Sequence, residues 1–281
     1  MAIRLGENNY GKQGVRLLRV TRQEGRHSIK ELTLGIRFEG DFATAHTKGD
    51  NRKILPTDTM KNTVYAFARK YPIETAEKFC LQLLEHCLTR NPQVSRVRIE
   101  ATEVPWARLP VAGNSHAYAF TCGSGERRTA AASGTRGEKE VCAGIQGLAV
   151  LKTTQSAFDD FLRDEYTTLK EDRNRILSTI IRAHWIYRKE EAEFAVIWEA
   201  VRRMMLETFA EHDSQSLQHT LYAMGEAVLG NFANIREIHL SLPNKHYNPV
   251  DLSPFRLDNP GEIFLPTDEP HGLIEATLRK D

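Results

Sequence analysis

Apolar positions early in the chain fall into extended runs. Residues 15–23 and 30–47 are rich in Val, Leu, Ile, Phe and Thr, and the polar turn Glu24-Gly25-Arg26-His27 joins them, which predicts a β-hairpin. After a polar segment at 46–53 the period changes. Helical character begins at Asp58. A second helix is predicted from about Ile73, where Ile73, Ala76, Phe79, Cys80, Leu83, Leu84 and Cys87 recur at the steps of a helix that buries one face. Asn91-Pro92 ends it. Alternation then returns, with Val97, Ile99 and Ala101 in a strand at 95–106 and Ala117, Ala119 and Thr121 in another at 115–122.

Residues 123–139, made of Gly, Ala, Ser and charged residues, read as a mobile connection without apolar anchors. Beyond it, 141–154 and 184–188 are strand-like. Phe194, Ile197, Trp198, Val201, Met205 and Phe209 line one face of a long helix, and a shorter helix follows over 217–228. Residues 235–242 alternate, and 263–265 with 273–278 form a last extended part, broken by Pro266, Asp268, Pro270 and Gly272. The second half thus repeats the element order of the first, without a residue-level repeat. The expected class is α+β: two similar halves, each an antiparallel sheet with helices on one face. Bare sheet edges are liabilities in a soluble protein, so oligomerisation is expected to cover them.

Composition narrows the function. The chain has 281 residues, of which 41% are hydrophobic and 27% charged, enough to build two ordinary domains or one large one. Lys and Arg number 38 against 37 for Asp and Glu, so no broad field favours nucleic acid or an anionic membrane, and any anion must be met locally. No apolar stretch is long enough to cross a bilayer and residues 1–9 lack a signal-peptide core, so the expected compartment is the cytoplasm. Cys80, Cys87, Cys122 and Cys142 are too sparse for a disulfide scaffold and are expected to be reduced and mostly buried. Gly123-Ser124-Gly125 runs into Glu126-Arg127-Arg128 instead of a third glycine, and neither a phosphate-wrapping GxxxxGK[ST] nor a GxSxG elbow occurs. The histidines form no HExxH or HxH. Cys80, His86 and Cys87 fall on different helical faces, so ordinary packing is favoured over a metal site.

Thr57-Asp58-Thr59-Met60-Lys61-Asn62-Thr63-Val64-Tyr65 gathers hydroxyl, acid and amide groups at a helix start, and its plain reading is an N-cap. Other strings accompany it: Tyr10-Gly11-Lys12-Gln13-Gly14-Val15-Arg16, His46-Thr47-Lys48-Gly49-Asp50-Asn51, Pro105-Trp106, the run from Phe161 through Arg163-Asp164-Glu165-Tyr166 to Glu171, and Leu242-Pro243-Asn244-Lys245-His246-Tyr247. Together, and in this order, they resemble the urate oxidase (uricase) family from about Tyr10 to the C-terminus. The resemblance implies tandem tunnelling-fold (T-fold) domains at 1–136 and 137–281, each a four-stranded antiparallel sheet with helices on one face. It further implies a barrel-forming homotetramer with active sites at subunit interfaces. The implied reaction is oxidation of urate by dioxygen to 5-hydroxyisourate and hydrogen peroxide, with no metal and no organic cofactor.

Residue roles carry over by position. Urate is flat, aromatic and anionic, so its site needs a stacking surface, a forked cation and a partner for its amide-like edge. The resemblance assigns these to Phe158, to Arg175 within Asn174-Arg175-Ile176-Leu177-Ser178-Thr179, and to Gln218, with Leu217 as the neighbouring backbone contact where relatives often have valine. Lys12 and Thr57 match the catalytic pair, which implies a buried, neutral Lys12, and His246 matches a third relay member. Asn244 with Thr57 is implied to hold dioxygen or water above the ligand plane, and Asp58 to contribute a backbone and capping role. Taken singly, Phe158 reads as core, Arg175 as a solvated ion-pair residue, Gln218 and His246 as surface and Lys12 as solvated. Only the family match gathers them.

Two departures stand out. The chain ends Leu278-Arg279-Lys280-Asp281, without the Ser-Lys-Leu peroxisomal address of many eukaryotic members, and Pro56 precedes Thr57 where other members have a small residue. The competing readings are a catalytically silent purine- or pterin-binding T-fold protein, which needs no proton relay, and a metal-dependent pterin-pathway enzyme, which needs a Cys/His zinc set that cannot be assembled from this sequence.

Overall fold

The computed structural model describes residues 3–123 and 125–281; Ser124 of the Gly-Ser-Gly string lies outside them. The chain divides into two compact units, one formed by Met1–Gly144 with Trp185–Trp198 and the other by Ile145–His184 with Glu199–Asp281.

In the first unit, β1 (Tyr10–Gln23) and β2 (Arg26–Gly40) form the expected hairpin, and β2 pairs antiparallel with β3 (Val94–Val104). The second run is shorter than its sequence suggests. It stops at Gly40, and Ala43–Lys48 is a short helix, α1, closed by Gly49 at φ 67°. Next come α2 (Thr57–Lys70), which lies against β1, and α3 (Ala76–Arg90), which lies against β3. The helical stripe read from the sequence is the buried one: Phe79, Cys80, Leu83, Leu84 and Cys87 meet Leu32, Leu34, Ile36, Val97 and Ile99 in one core. Thr75 caps α3 by accepting a hydrogen bond from the Lys78 N–H at 3.2 Å.

Two expectations are corrected here. Residues 115–122 do not join this sheet: β5 (Asn114–Cys122) pairs only with β4 (Trp106–Val111), as a separate two-stranded ribbon. The fourth strand is β6 (Arg127–Gly134), inside the stretch read as a mobile connection, and it pairs antiparallel with β3. Its alternate residues Arg128, Ala130 and Ala132 are buried on the side where α3 packs. Small side chains leave room for the helix, and a terminal nitrogen of the buried Arg128 guanidinium donates to both carboxylate oxygens of the buried Glu77 at 2.8 Å, with the Trp198 ring 5.2 Å away.

The second unit has strand order β7-β8-β9-β10, built from β7 (Lys139–Lys152), β8 (Leu177–Tyr187), β9 (Ile235–Pro249) and β10 (Phe264–Arg279). The first residues of β7, the last of β8 and the first of α4 (Phe194–Glu211) count with the first unit. α5 (Leu217–Asn231) lies against β9 and β10. The predicted apolar face of α4 is buried throughout. β10 is one strand, and of the turn-formers that split it in the sequence Asp268 and Pro270 fall in a break in register opposite Lys245, while Pro266 and Gly272 stay paired with β9. Cys80 and Cys87 are buried and Cys142 is half-buried, whereas Cys122 is exposed.

Candidate functional site

Lys12, Thr57 and Asp58 belong to the first unit. Lys12 sits opposite Ile36 on β1, immediately before a β-bulge that ends at Val15. Two glycines make this bend: Gly14 has φ 71°, and a Cβ on Gly11 would lie 1.9 Å from the Ile36 carbonyl oxygen. Lys12 is half-buried in this chain, less enclosed than the resemblance implies. The Tyr10 hydroxyl accepts the Leu55 N–H at 2.9 Å while its ring packs edge-on to Phe42, which ties the segment before α2 to the start of β1.

Thr57 is the first residue of α2, and Pro56 holds the N-cap position without any side-chain cap hydrogen bond. The plain N-cap reading is therefore corrected: proline preorganises the turn, and half-buried Thr57 is not used for capping. Asp58 is exposed and accepts hydrogen bonds from Lys61 Nζ and, at 3.0 Å, from Asn62 Nδ2. The Lys61 ammonium, with lesser help from Asn62 and Lys12, holds the Asp58 carboxyl below the usual carboxylate range. Lys12 and Asp58 are thus within electrostatic reach of each other.

Phe158, Arg175, Leu217 and Gln218 belong to the second unit, where backbone hydrogen bonds draw three distant segments together. Phe158 pairs antiparallel with Asp172 (Phe158 N–H to Asp172 O, 2.7 Å), and Arg175 N–H donates to Ser156 O at 2.8 Å. Ala157 N–H donates to Ser214 O at 2.7 Å, and Ser214 N–H to Gln155 O at 3.0 Å, just ahead of α5. Ser216 caps that helix by accepting the His219 N–H at 3.1 Å, which places buried Leu217 and exposed Gln218 at its first two positions. The Arg175 guanidinium carbon lies 5.2 Å from the centre of the Phe158 ring, and Phe161 stacks on Phe158 at 5.0 Å with planes 12° apart.

Electrostatically, this corner is incomplete. Arg175 Nε is buried without a hydrogen-bond partner, as is Ser156 Oγ. Burial pulls the Arg175 guanidinium down from its usual range, with Asp172 opposing the shift. A desolvated, partly unpaired guanidinium over an aromatic ring is suited to a flat anion that stacks and accepts two parallel hydrogen bonds.

Asn244 and His246 are half-buried neighbours on one face of β9, opposite Gly272 and Thr267 of β10. Between these two pairings β10 carries four residues, 268–271, against Lys245 alone, and Lys245 Nζ donates to Asp268 Oδ1 at 2.8 Å. Among the described residues no group of three or more His, Cys, Asp and Glu is placed to hold a metal ion, Cys80, His86 and Cys87 included. No helix among them is long and apolar enough to cross a membrane. Sequence reasoning assigned no role to Tyr10, Phe161, Ser156 or Ser214. The first two stand inside or beside the family-like strings, but nothing in local pattern marks the two serines.

Comparison with known proteins follows the same order of segments. The uricase family model matches residues 8–133 and 141–275. The chain is 46% identical over 277 residues to the uricase of Arthrobacter globiformis, spanning 99% of this chain and 90% of that protein. It is 36% identical over 285 residues to the uricase of Aspergillus flavus, spanning 96% and 94%. Its fold superposes on the crystal structure of the A. globiformis uricase with a TM-score of 0.96 at 45% identity, covering 100% of this chain and 96% of the other. For Bacillus sp. TB-90 urate oxidase the TM-score is 0.86 at 24% identity, over 97% and 100%, a likeness of fold.

Proposed function

Since the chain belongs to the uricase family, and with it to the oxidoreductases that act on urate, we propose the reaction it performs: urate, dioxygen and water give 5-hydroxyisourate and hydrogen peroxide, with no metal or organic cofactor. Two electrons leave the urate ring for dioxygen. Water supplies the new hydroxyl, and the reduced oxygen departs with two protons.

The observation that carries this reading is the Phe158–Arg175 corner, where the half-buried Arg175, its Nε buried and unpaired, holds its guanidinium over a phenyl ring. In the proposed site Phe158 stacks under the purine, Arg175 clamps one edge with two hydrogen bonds, and Gln218 reads the opposite edge beside a Leu217 backbone contact. Asn244 and Thr57 hold dioxygen, or the water that follows it, above the ring. Lys12, Thr57 and His246 relay protons, and Asp58 supports the ligand from its backbone. Urate must lose a proton before it can give up electrons easily, and a lysine–threonine pair held away from bulk water suits that task.

The proposed assembly is a homotetramer of tandem T-fold halves, 1–136 and 137–281, closed into a barrel, with Lys12, Thr57 and Asp58 of one subunit meeting the remaining site residues of another. Its support is that the residues fall into two separate half-sites and that two strands have open edges. Among the described residues β1 pairs only with β2, and β10 only with β9, and both expose apolar side chains, Leu18 on β1 and Leu265 and Leu273 on β10.

The test is direct. Chelator-treated protein is given urate in a closed oxygen-electrode cell, with urate absorbance and peroxide followed together. The expected outcome is equal consumption of urate and dioxygen with equal release of peroxide. Loss of urate absorbance without peroxide, or dependence on added metal, overturns the proposal.

A further inference from the structure

A buried hydroxyl pair braces the start of α5 against Ser214, whose backbone is hydrogen-bonded to the segment bearing Phe158. Thr220 and Ser214 are both fully buried, and Thr220 Oγ1 donates to Ser214 Oγ at 2.7 Å. Ser214 Oγ in turn donates to the backbone carbonyl of Ser216 at 2.9 Å, the N-cap residue of α5. The backbone of Ser214 is held on its other side by Gln155 O and the Ala157 N–H. Ser214 therefore sits where two pieces meet: its hydroxyl is bonded to the helix start that presents Gln218, and its backbone to the segment whose next residues carry Phe158 and anchor Arg175 through Ser156.

We infer that Ser214, backed by Thr220, is a positioning residue that sets the spacing between Gln218 and the Phe158–Arg175 pair, and so the width of purine the site accepts. The inference rests on the proposed roles of those three residues. Ser214 is fully buried, so it acts through them and not by touching the ligand. Its hydroxyl has one donor and two acceptor positions, and the network uses the donor toward α5 and an acceptor toward Thr220. The Thr220 bond is buried and the Ser216 bond partly so, and there a lost partner leaves an unsatisfied group that the helix start must shift to recover. A shift of less than an ångström at Gln218 breaks hydrogen bonds to a rigid ligand whose other edge is fixed by Arg175.

The experiment is a double-mutant cycle on urate oxidation by the full-length protein. Ser214→Ala and Thr220→Val are each expected to raise the KM for urate about tenfold while kcat stays within about twofold, and Thr220→Ser, which keeps the hydroxyl, to restore KM to near wild type. In a Gln218→Ala background, Ser214→Ala is expected to add almost nothing to KM, because the residue it positions is gone. Additive effects in that background overturn the inference, as does an unchanged KM in Ser214→Ala. Thermal melting of each variant separates a folding defect from a positioning one, and Thr220→Val covers the case in which Ser214→Ala does not fold. Arg175→Ala and Gln218→Ala run alongside: if neither alters urate binding, the site assignment itself is wrong, whereas effects in both with none in Ser214→Ala remove only the positioning role.

Discussion

Arg175 is the residue on which the proposed chemistry turns, because its guanidinium stands over an aromatic ring and its Nε is buried without a partner. Removing it costs a bidentate, charge-assisted contact, so Arg175→Ala is expected to weaken urate binding about 100-fold, read by equilibrium titration, and Arg175→Lys is not expected to recover it. Lys12 acts on the reaction instead of the grip. Lys12→Met is expected to bind urate nearly as well as wild type and to turn over about 100-fold more slowly, read as kcat against KM. Neither role was legible from local pattern. An arginine beside a strand ordinarily pairs on the surface, and a lysine near the N-terminus is ordinarily solvated. What marked them was the family-like string around each. Local physics speaks only in the folded chain, where the Asp172 carboxylate opposes the desolvation of Arg175.

At the scale of elements, periodicity served well wherever one face is apolar. The α3 stripe, the α4 face and the β1–β2 hairpin all follow from the spacing of Leu, Ile, Val and Phe. It missed β6, because the strand lies beneath a helix and uses Ala130 and Ala132 where larger residues would collide, and because its buried polar residue, Arg128, is neutralised by Glu77 from α3. That compensation is a tertiary fact, which no window along the chain contains. It overextended β2 because Phe42 and Ala43 continue an apolar composition after the backbone has turned. The bulge beside Lys12 is a feature of the same kind, visible only as glycines. Since a Cβ on Gly11 would meet the Ile36 carbonyl at 1.9 Å, Gly11→Ala forces β1 away from β2. It is expected to cost about 2 kcal/mol or more in urea denaturation and to reduce activity, whereas Gly14→Ala, which meets no atom but keeps a positive φ, costs about 1 kcal/mol.

The whole molecule adds two expectations. On the proposed assembly, Leu18→Asp places a charge on the open edge of β1, where the wild-type side chain is 55% exposed in the single chain. Size-exclusion chromatography with light scattering should then show species smaller than a tetramer, with oxidation of urate lost in step; a fully active monomer would falsify the shared site. The second concerns acid. Burial, with Arg90 and Lys70 for His86 and with His219 and Lys152 for His212, holds both imidazoles below the usual histidine range. The unfolded chain therefore takes up more protons than the fold once pH drops below about 6.5, so stability is full above that value and declines beneath it. Melting temperature is expected to fall between about pH 7 and pH 5.5, and His86→Gln to flatten part of that slope. The cysteines bear on endurance in turnover. Burial pushes the Cys87 and Cys142 thiols up to about 12 and Cys80 well above its ordinary range, so these sulfurs stay protonated and react sluggishly with an oxidant such as the peroxide of the proposed reaction. Exposed Cys122, out on the β4–β5 ribbon and away from the core, is left as the place where self-inflicted damage would start, and where it would harm the catalyst least.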